Sequence, residues 1–108
     1  MKKSTFALIG AMALGLTCAA AGATEHVVAQ KGKAFSMKKL SVKLGDSVKF
    51  VNEDPFSHNV FSLSDTKSFD LGSYGQGGSK SIVFDKAGTV EVECAVHPDM
   101  KLVIEVAK

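Results

Sequence analysis

The sequence contains no arginine and no tryptophan, and only two cysteines, two prolines and one tyrosine among its 108 residues. The missing arginine leaves lysine to supply all 13 basic residues, against 11 acidic ones. That surplus of two is too small to grip a phosphate backbone, so nucleic acid is not an expected partner. Beyond residue 23 the chain has no sustained helical period, which argues against a helical bundle. Internal repeats, linkers and charge blocks are absent too. No long apolar run suits a retained membrane helix: the one candidate, "ALIGAMALGL" after Lys2 and Lys3, is short and rich in alanine and glycine.

That run is better explained as export machinery. A basic start, an apolar stretch and the small-x-small triplet "AGA" at residues 21–23 form a signal peptide cut after Ala23. Residues 1–23 are therefore expected to be removed, and residues 24–108 to form a single periplasmic domain. Lipid attachment at Cys18 is the alternative, disfavoured by Thr17 immediately before it. Cleavage leaves 11 lysines facing 11 acidic residues. It also removes Cys18, so Cys94 is the sole remaining thiol and cannot form an internal disulfide. An odd cysteine in an exported protein calls for a reason, and metal ligation is the leading one. The remaining chain of about 85 residues would bury roughly 60–65% of its unfolded surface, enough for a thin two-layer core.

Alternation between apolar and polar residues predicts seven strands: "HVVAQ" (26–30), "LSVKL" (40–44), "SVKFVN" (47–52), "HNVFSL" (58–63), "KSIVF" (80–84), "TVEVEC" (89–94) and "KLVIEVA" (101–107). Turn signals separate them: Gly45 with Asp46, Asp54 with Pro55, "YGQGGS" at 74–79, and Lys86 to Gly88. The expected fold is all-β, an antiparallel sandwich of about seven to eight strands. Residues 64–78 are expected to form a long surface connection. Met37, Phe35, Phe50, Phe61, Phe69 and Phe84 are expected to fill the core, and Tyr74 to lie on the surface.

In "TVEVEC" the residues Val90, Val92 and Cys94 share one face, which points the thiol inward at a strand end. Cys94, His97 and Met100 then follow at three-residue intervals in "CAVHPDM". Taken singly, each has an ordinary explanation: a small buried hydrophobe, a loop histidine, a packing methionine. Taken together, a soft thiolate, an imidazole and a thioether suit copper rather than calcium or magnesium. A second imidazole must come from elsewhere, and His58, where a turn enters a strand, is well placed. His58, Cys94 and His97 would form a trigonal set with Met100 as a long axial ligand, the arrangement of electron-transfer copper sites.

With these residues in view, the chain resembles the cupredoxins, the type 1 copper proteins of the plastocyanin, amicyanin and azurin kind. "DPFSHNV" is similar to their first-histidine segment, and "CAVHPDM" shares C-x-x-H-x-x-M, with proline after the histidine, with the amicyanins. The resemblance covers nearly the whole chain after residue 23. It implies a Greek-key sandwich holding one copper ion that cycles between Cu(I) and Cu(II). It implies a buried His58, an exposed His97 near a rim of Phe56 and Pro98, and an Asn59 whose backbone N–H approaches the Cys94 sulfur while its side chain ties the ligand loops together. It further implies a monomeric one-electron carrier, not an enzyme, serving a dehydrogenase on one side and a cytochrome c or oxidase on the other through transient contacts. A copper chaperone or storage protein on the same fold is the alternative function. A zinc or metal-free adhesion module is a weaker third, since it leaves the inward donors unexplained. Glu53, Asp54 and Asp99 would favour a basic partner, tempered by Lys101.

Separately, cleavage after Ala23 would begin the mature chain at Thr24-Glu25-His26, a free amine with histidine third, able to hold Cu(II) or Ni(II) in a square of nitrogens. N-terminal sequencing of the exported protein is expected to begin at Thr24. Copper counting on that material then tests the amino-terminal site: a second equivalent lost in His26→Ala supports it, and one equivalent unchanged by the substitution removes it.

Overall fold

Strand formation follows the two-residue period. In the computed structural model, which describes residues 23–108, every regular element is a strand; the expected leader therefore lies, apart from Ala23, outside the described residues. The strands are β1 (Glu25–Gln30), β2 (Lys39–Lys43), β3 (Ser47–Asn52), β4 (His58–Leu63), β5 (Ser68–Tyr74), β6 (Ser79–Val83), β7 (Gly88–Glu93) and β8 (Lys101–Ala107). Valine, isoleucine and phenylalanine at alternate positions supply one apolar face per strand, which two packed sheets can hide from water. One sheet has the order β1-β3-β6, the other β2-β8-β7-β4-β5. Between them lie Val28, Val48, Phe50, Val60, Phe84, Val90, Val92, Leu102 and Ile104, all without solvent exposure. Glu91, Glu93, Lys101 and Glu105 alternate outward from the same strands.

Two features differ from the purely antiparallel sandwich expected. Strands β1 and β3 run parallel, as do β2 and β8, because the chain crosses between the sheets after β1 and again after β2. Neighbours in sequence therefore do not pair there. The other difference is β5, which lies inside the stretch expected to be irregular. Its apolar residues fall at Phe69, Leu71 and then Tyr74, so the period of two breaks. The cause is a bulge: Asn59 opposes Ser73, whereas Phe61 opposes Asp70, an extra residue on β5 with Gly72 at φ 78. Phe61 also departs from expectation. His58, Val60 and Ser62 face inward on β4, so the intervening Phe61 lies half-buried on the outer face.

Asp46 fastens the end of the sandwich away from the β7–β8 loop, where Lys43 pairs with Ala107 at the end of β8. It follows Gly45, whose φ of 93 suits the third position of the tight turn closed by Asp46 N–H and Lys43 C=O at 2.9 Å. The carboxylate accepts from Thr24 N–H, Lys43 N–H and His26 Nε2–H, each at 2.9 Å. The start of β1 is thereby joined to the β2–β3 turn at one buried group. The hydrogen bond from His26, followed by those from Lys43 and Thr24, holds its carboxyl down at about 2 against the upward push of burial. A carboxylate depressed in the folded state stabilises the fold above its unfolded value, and that contribution disappears as pH falls through the folded one. The contribution of Asp46 is therefore complete above about pH 5 and absent near about pH 2. The urea midpoint of the wild type is expected to exceed that of Asp46→Asn at pH 6, with the two converging toward pH 2; a gap that stays constant with pH would contradict this.

Candidate metal centre

The strand register that builds the core also delivers the donors. His58 is the first residue of β4 and inherits the inward phase of Val60 and Ser62; it has no solvent exposure. Cys94 follows the last residue of β7 and continues the inward phase of Val90 and Val92, with 1% exposure. Since β4 and β7 are antiparallel neighbours, the start of one and the end of the other occupy the same tip. His58 Nδ1 and Cys94 Sγ lie 3.6 Å apart there, across 36 residues of sequence.

The third donor comes from the loop between β7 and β8. A turn runs from His97 to Met100, closed by Met100 N–H donating to His97 C=O at 2.9 Å, with Pro98 in the second position that its fixed φ suits. The turn places His97 at the surface side and sends Met100 into the core at 1% exposure. Donor atoms of His58, Cys94 and His97 lie within 4.8 Å of one another. The imidazole rings sit 4.9 Å apart at 60°. Phe56 lies beside both, 5.3 Å from His58 and 5.4 Å from His97.

Whether these residues suit a metal ion is decided by their hydrogen bonding. Buried ring nitrogens are ordinarily paired. Yet Nδ1 of His97 is buried without a partner, beside a thiol and a second imidazole. His58 is committed on its far side: Nε2 lies 2.6 Å from Asp54 Oδ2. Because that nitrogen donates to a carboxylate, the proton belongs on Nε2 and the lone pair on Nδ1 points at the cluster, as a carboxylate–histidine–metal triad requires. One thiol, two imidazole lone pairs and a thioether nearby are a donor set for a soft or borderline ion. The residues fit copper.

Around this cluster stands a polar frame, of which the sequence singled out Asn59 alone for a role at the site. Asn52 is fully buried; its Nδ2 donates to Phe56 C=O at 2.8 Å and Tyr74 C=O at 2.9 Å, while its Oδ1 accepts from Asp54 N–H at 2.8 Å. Asp54, 4% exposed, also accepts from Gly32 N–H at 2.7 Å and Lys33 N–H at 3.1 Å. Burial pushes its carboxyl upward, but the bonds from His58, Gly32 and Lys33 prevail and hold it at about 2. Asp54 is thus turned into the protein and is not available to draw in a basic partner. Asn59 Oδ1 accepts from Ala95 N–H at 2.8 Å and from the Cys94 thiol at 3.3 Å, so its side chain joins the start of β4 to the loop after β7. Tyr74 is half-buried rather than superficial. Its hydroxyl donates to Gln30 Oε1 at 2.7 Å and lies 3.2 Å from Phe50 C=O, and burial, then the neighbouring Cys94, push its pKa well above the usual value.

The amino-terminal residues are placed differently. Thr24 N and His26 Nε2 both bond to Asp46, and Glu25 opens the ladder with β3 opposite Ser47. A square of nitrogens at Thr24-Glu25-His26 requires that segment to leave both.

Comparison with known proteins agrees with the geometry. The sequence profile of the family described as copper binding proteins, plastocyanin/azurin family, matches residues 23–107. The methylamine utilization protein MauL of Methylorubrum extorquens is 33% identical over 69 residues, covering 63% of this chain and 60% of that protein. Amicyanin of Paracoccus denitrificans is 31% identical over 83 residues, covering 66% of this chain and 58% of amicyanin. The chain thus matches somewhat under two thirds of the length of these curated relatives. A solved copper-containing nitrite reductase from Thermus scotoductus superposes with a TM-score of 0.73 at 29% identity, covering 79% of this chain and 23% of that one.

Asn52 generates a prediction independent of metal. Asn52→Ala leaves the Asp54 N–H and two carbonyls without their buried partner, and is expected to cost about 2–4 kcal/mol of folding stability. Chemical denaturation of the metal-free protein measures it; a loss below about 0.5 kcal/mol would show that water replaces the amide.

Proposed function

Since this chain belongs to the plastocyanin/azurin family of copper-binding proteins, we propose that it is a one-electron carrier of the type 1 copper kind, exported to the periplasm by the leader at residues 1–23. His58, Cys94, His97 and Met100 would hold the ion. The observation that carries this reading is the buried, unpartnered Nδ1 of His97 beside the thiol of Cys94 and Nδ1 of His58. Copper bound there supplies a single reversible electron and, through its thiolate bond, intense visible absorption.

The protein's own residues set what such an ion can do. Three donors fixed by two strand ends and one turn would hold the same arrangement around either oxidation state of the ion. Little rearrangement then accompanies transfer. Four protein donors leave no open position for a substrate, in contrast to catalytic metal sites, so the chain acts as a carrier and not as an enzyme. His97 is the donor nearest solvent. Phe56, 37% exposed, and Val96, 61% exposed, flank it with Pro98, forming a small apolar rim through which electrons leave. Contacts of that size suit brief encounters with a dehydrogenase, a cytochrome c or an oxidase by a monomeric carrier. The name of one relative, the methylamine utilization protein MauL, points to methylamine utilisation as one setting. Buried donors on rigid strand ends favour retention of copper over handing it on, which separates this function from a chaperone or store.

Adding Cu(II) to the folded metal-free protein is expected to give an intense absorption toward the red end of the visible spectrum and narrow copper hyperfine splitting in EPR. Cys94→Ser is expected to abolish the colour while leaving the sandwich folded. Weak, colourless binding through nitrogen and oxygen by the wild type would contradict the proposal.

A further inference from the structure

The loop between β1 and β2 lies outside the ligand set, yet two separate contacts run from it to the metal centre. Gln30 and Phe35 form a bridge, Lys31 N–H donates to Ala34 C=O at 2.9 Å, and Gly32 and Lys33 fill the two central positions with φ of 67 and 59. This is the geometry of a two-residue hairpin turn with both central residues left-handed, where Asn-Gly or Gly-Gly is the usual choice. Lys33 is the only non-glycine residue with positive φ among the described residues, and such a conformation is held at a cost in strain by its surroundings. Those surroundings are the centre itself. The successive N–H groups of Gly32 and Lys33 reach the two oxygens of Asp54, one each, and Oδ2 of that carboxylate also meets Nε2 of His58. The Lys33 ammonium lies over the Phe56 ring at 5.9 Å from its centroid, and Phe56 touches both imidazoles. Glu53 N–H donating to Gln30 C=O at 2.8 Å ties the root of the hairpin to the segment carrying Asp54.

We propose that the Gly32-Lys33 turn is a positioning element for the metal centre: its paired N–H groups fix the Asp54 carboxylate, which keeps the proton of His58 on Nε2 and leaves Nδ1 permanently free to ligate. A carboxylate held by one imidazole alone can swing, and the imidazole can then exchange tautomers. Held at both oxygens by backbone, it cannot. The turn therefore acts on the ion through two intermediaries without touching it. The lysine side chain has a distinct role, covering the outer face of Phe56 at the rim.

The test reads the ring nitrogens of His58 by 15N NMR in the metal-free, otherwise intact protein, so it does not depend on copper loading. The wild type is expected to show a single Nε2–H tautomer. Insertion of one glycine between Gly32 and Lys33 displaces the N–H pair, and is expected to yield a mixture of tautomers and a Cu(I) affinity lower by about 10–100-fold. Gly32→Val strains the same turn without lengthening the chain and is expected to shift both readouts in the same direction, should the insertion not fold. Lys33→Gly keeps both N–H groups and is expected to leave the tautomer unchanged. A wild-type His58 protonated on Nδ1, or one unchanged tautomer in the folded turn variants, overturns the proposal. The affinity measurement alone rests on His58 being a copper ligand. Absence of copper binding by the wild type would remove the carrier function and leave the tautomer result standing.

Discussion

The antiparallel pairing of β4 with β7 is the constraint on which the rest depends. It sets the beginning of one strand beside the end of the other, so residues 36 positions apart share a single tip of the sandwich. The two-residue period then decides which way they point. His58 faces inward because Val60 does, and Cys94 because Val92 and Val90 do. A slip of one residue in either strand would turn its donor outward together with every core side chain on that strand. The free energy that excludes water from the core therefore also specifies the ligand geometry, and the site is as rigid as the core that aims it.

Around the donors, hydrogen bonding performs what apolar packing cannot. The inward position that protects the thiol also buries Asn52, Asp54, His58 and Gln30, and each must find partners or impose the cost of an orphaned polar group. Asn52 and Asp54 meet that requirement by joining β3, the loop before β4, β5 and the β1–β2 turn in one network. The network supports the fold and also orients one imidazole, since the carboxylate on Nε2 of His58 leaves Nδ1 turned toward the cluster. Two buried nitrogens remain without a partner among the described residues, Nε2 of Gln30 and Nδ1 of His97, and the second is the one beside the thiol, where a cation would sit.

Much of this could be read from the sequence, and the limits have physical causes. Seven strands were visible because their side chains alternate without interruption; β3, β4 and β8 match the expected spans to the residue. Strand β5 was hidden because the bulge at Gly72 breaks its period. Phe61 was misplaced because the inward position beside it belongs to a histidine and a serine on β4, which mimic a polar face. The gathering of His58, Cys94 and His97 could be anticipated from chemistry: few residue types bind soft metals, and this chain has few of them. The parallel pairings, the inward turn of Asp54 and the contacts of Tyr74 with Gln30 were beyond reach, because they depend on which distant segments meet. Asp54 and Tyr74 both looked superficial in turn-rich sequence, and only the packing of the β1–β2 hairpin and of β5 buries them.

Copper K-edge X-ray absorption on the copper-loaded protein tests the central claim most directly, since it counts the ion's neighbours without reference to colour or activity. Strand pairing that brings Cys94 and two imidazoles to one tip predicts an inner shell of one short copper–sulfur bond and two copper–nitrogen bonds in both oxidation states, with little change between them. A shell of nitrogen and oxygen alone, or one that rebuilds on reduction, would contradict it.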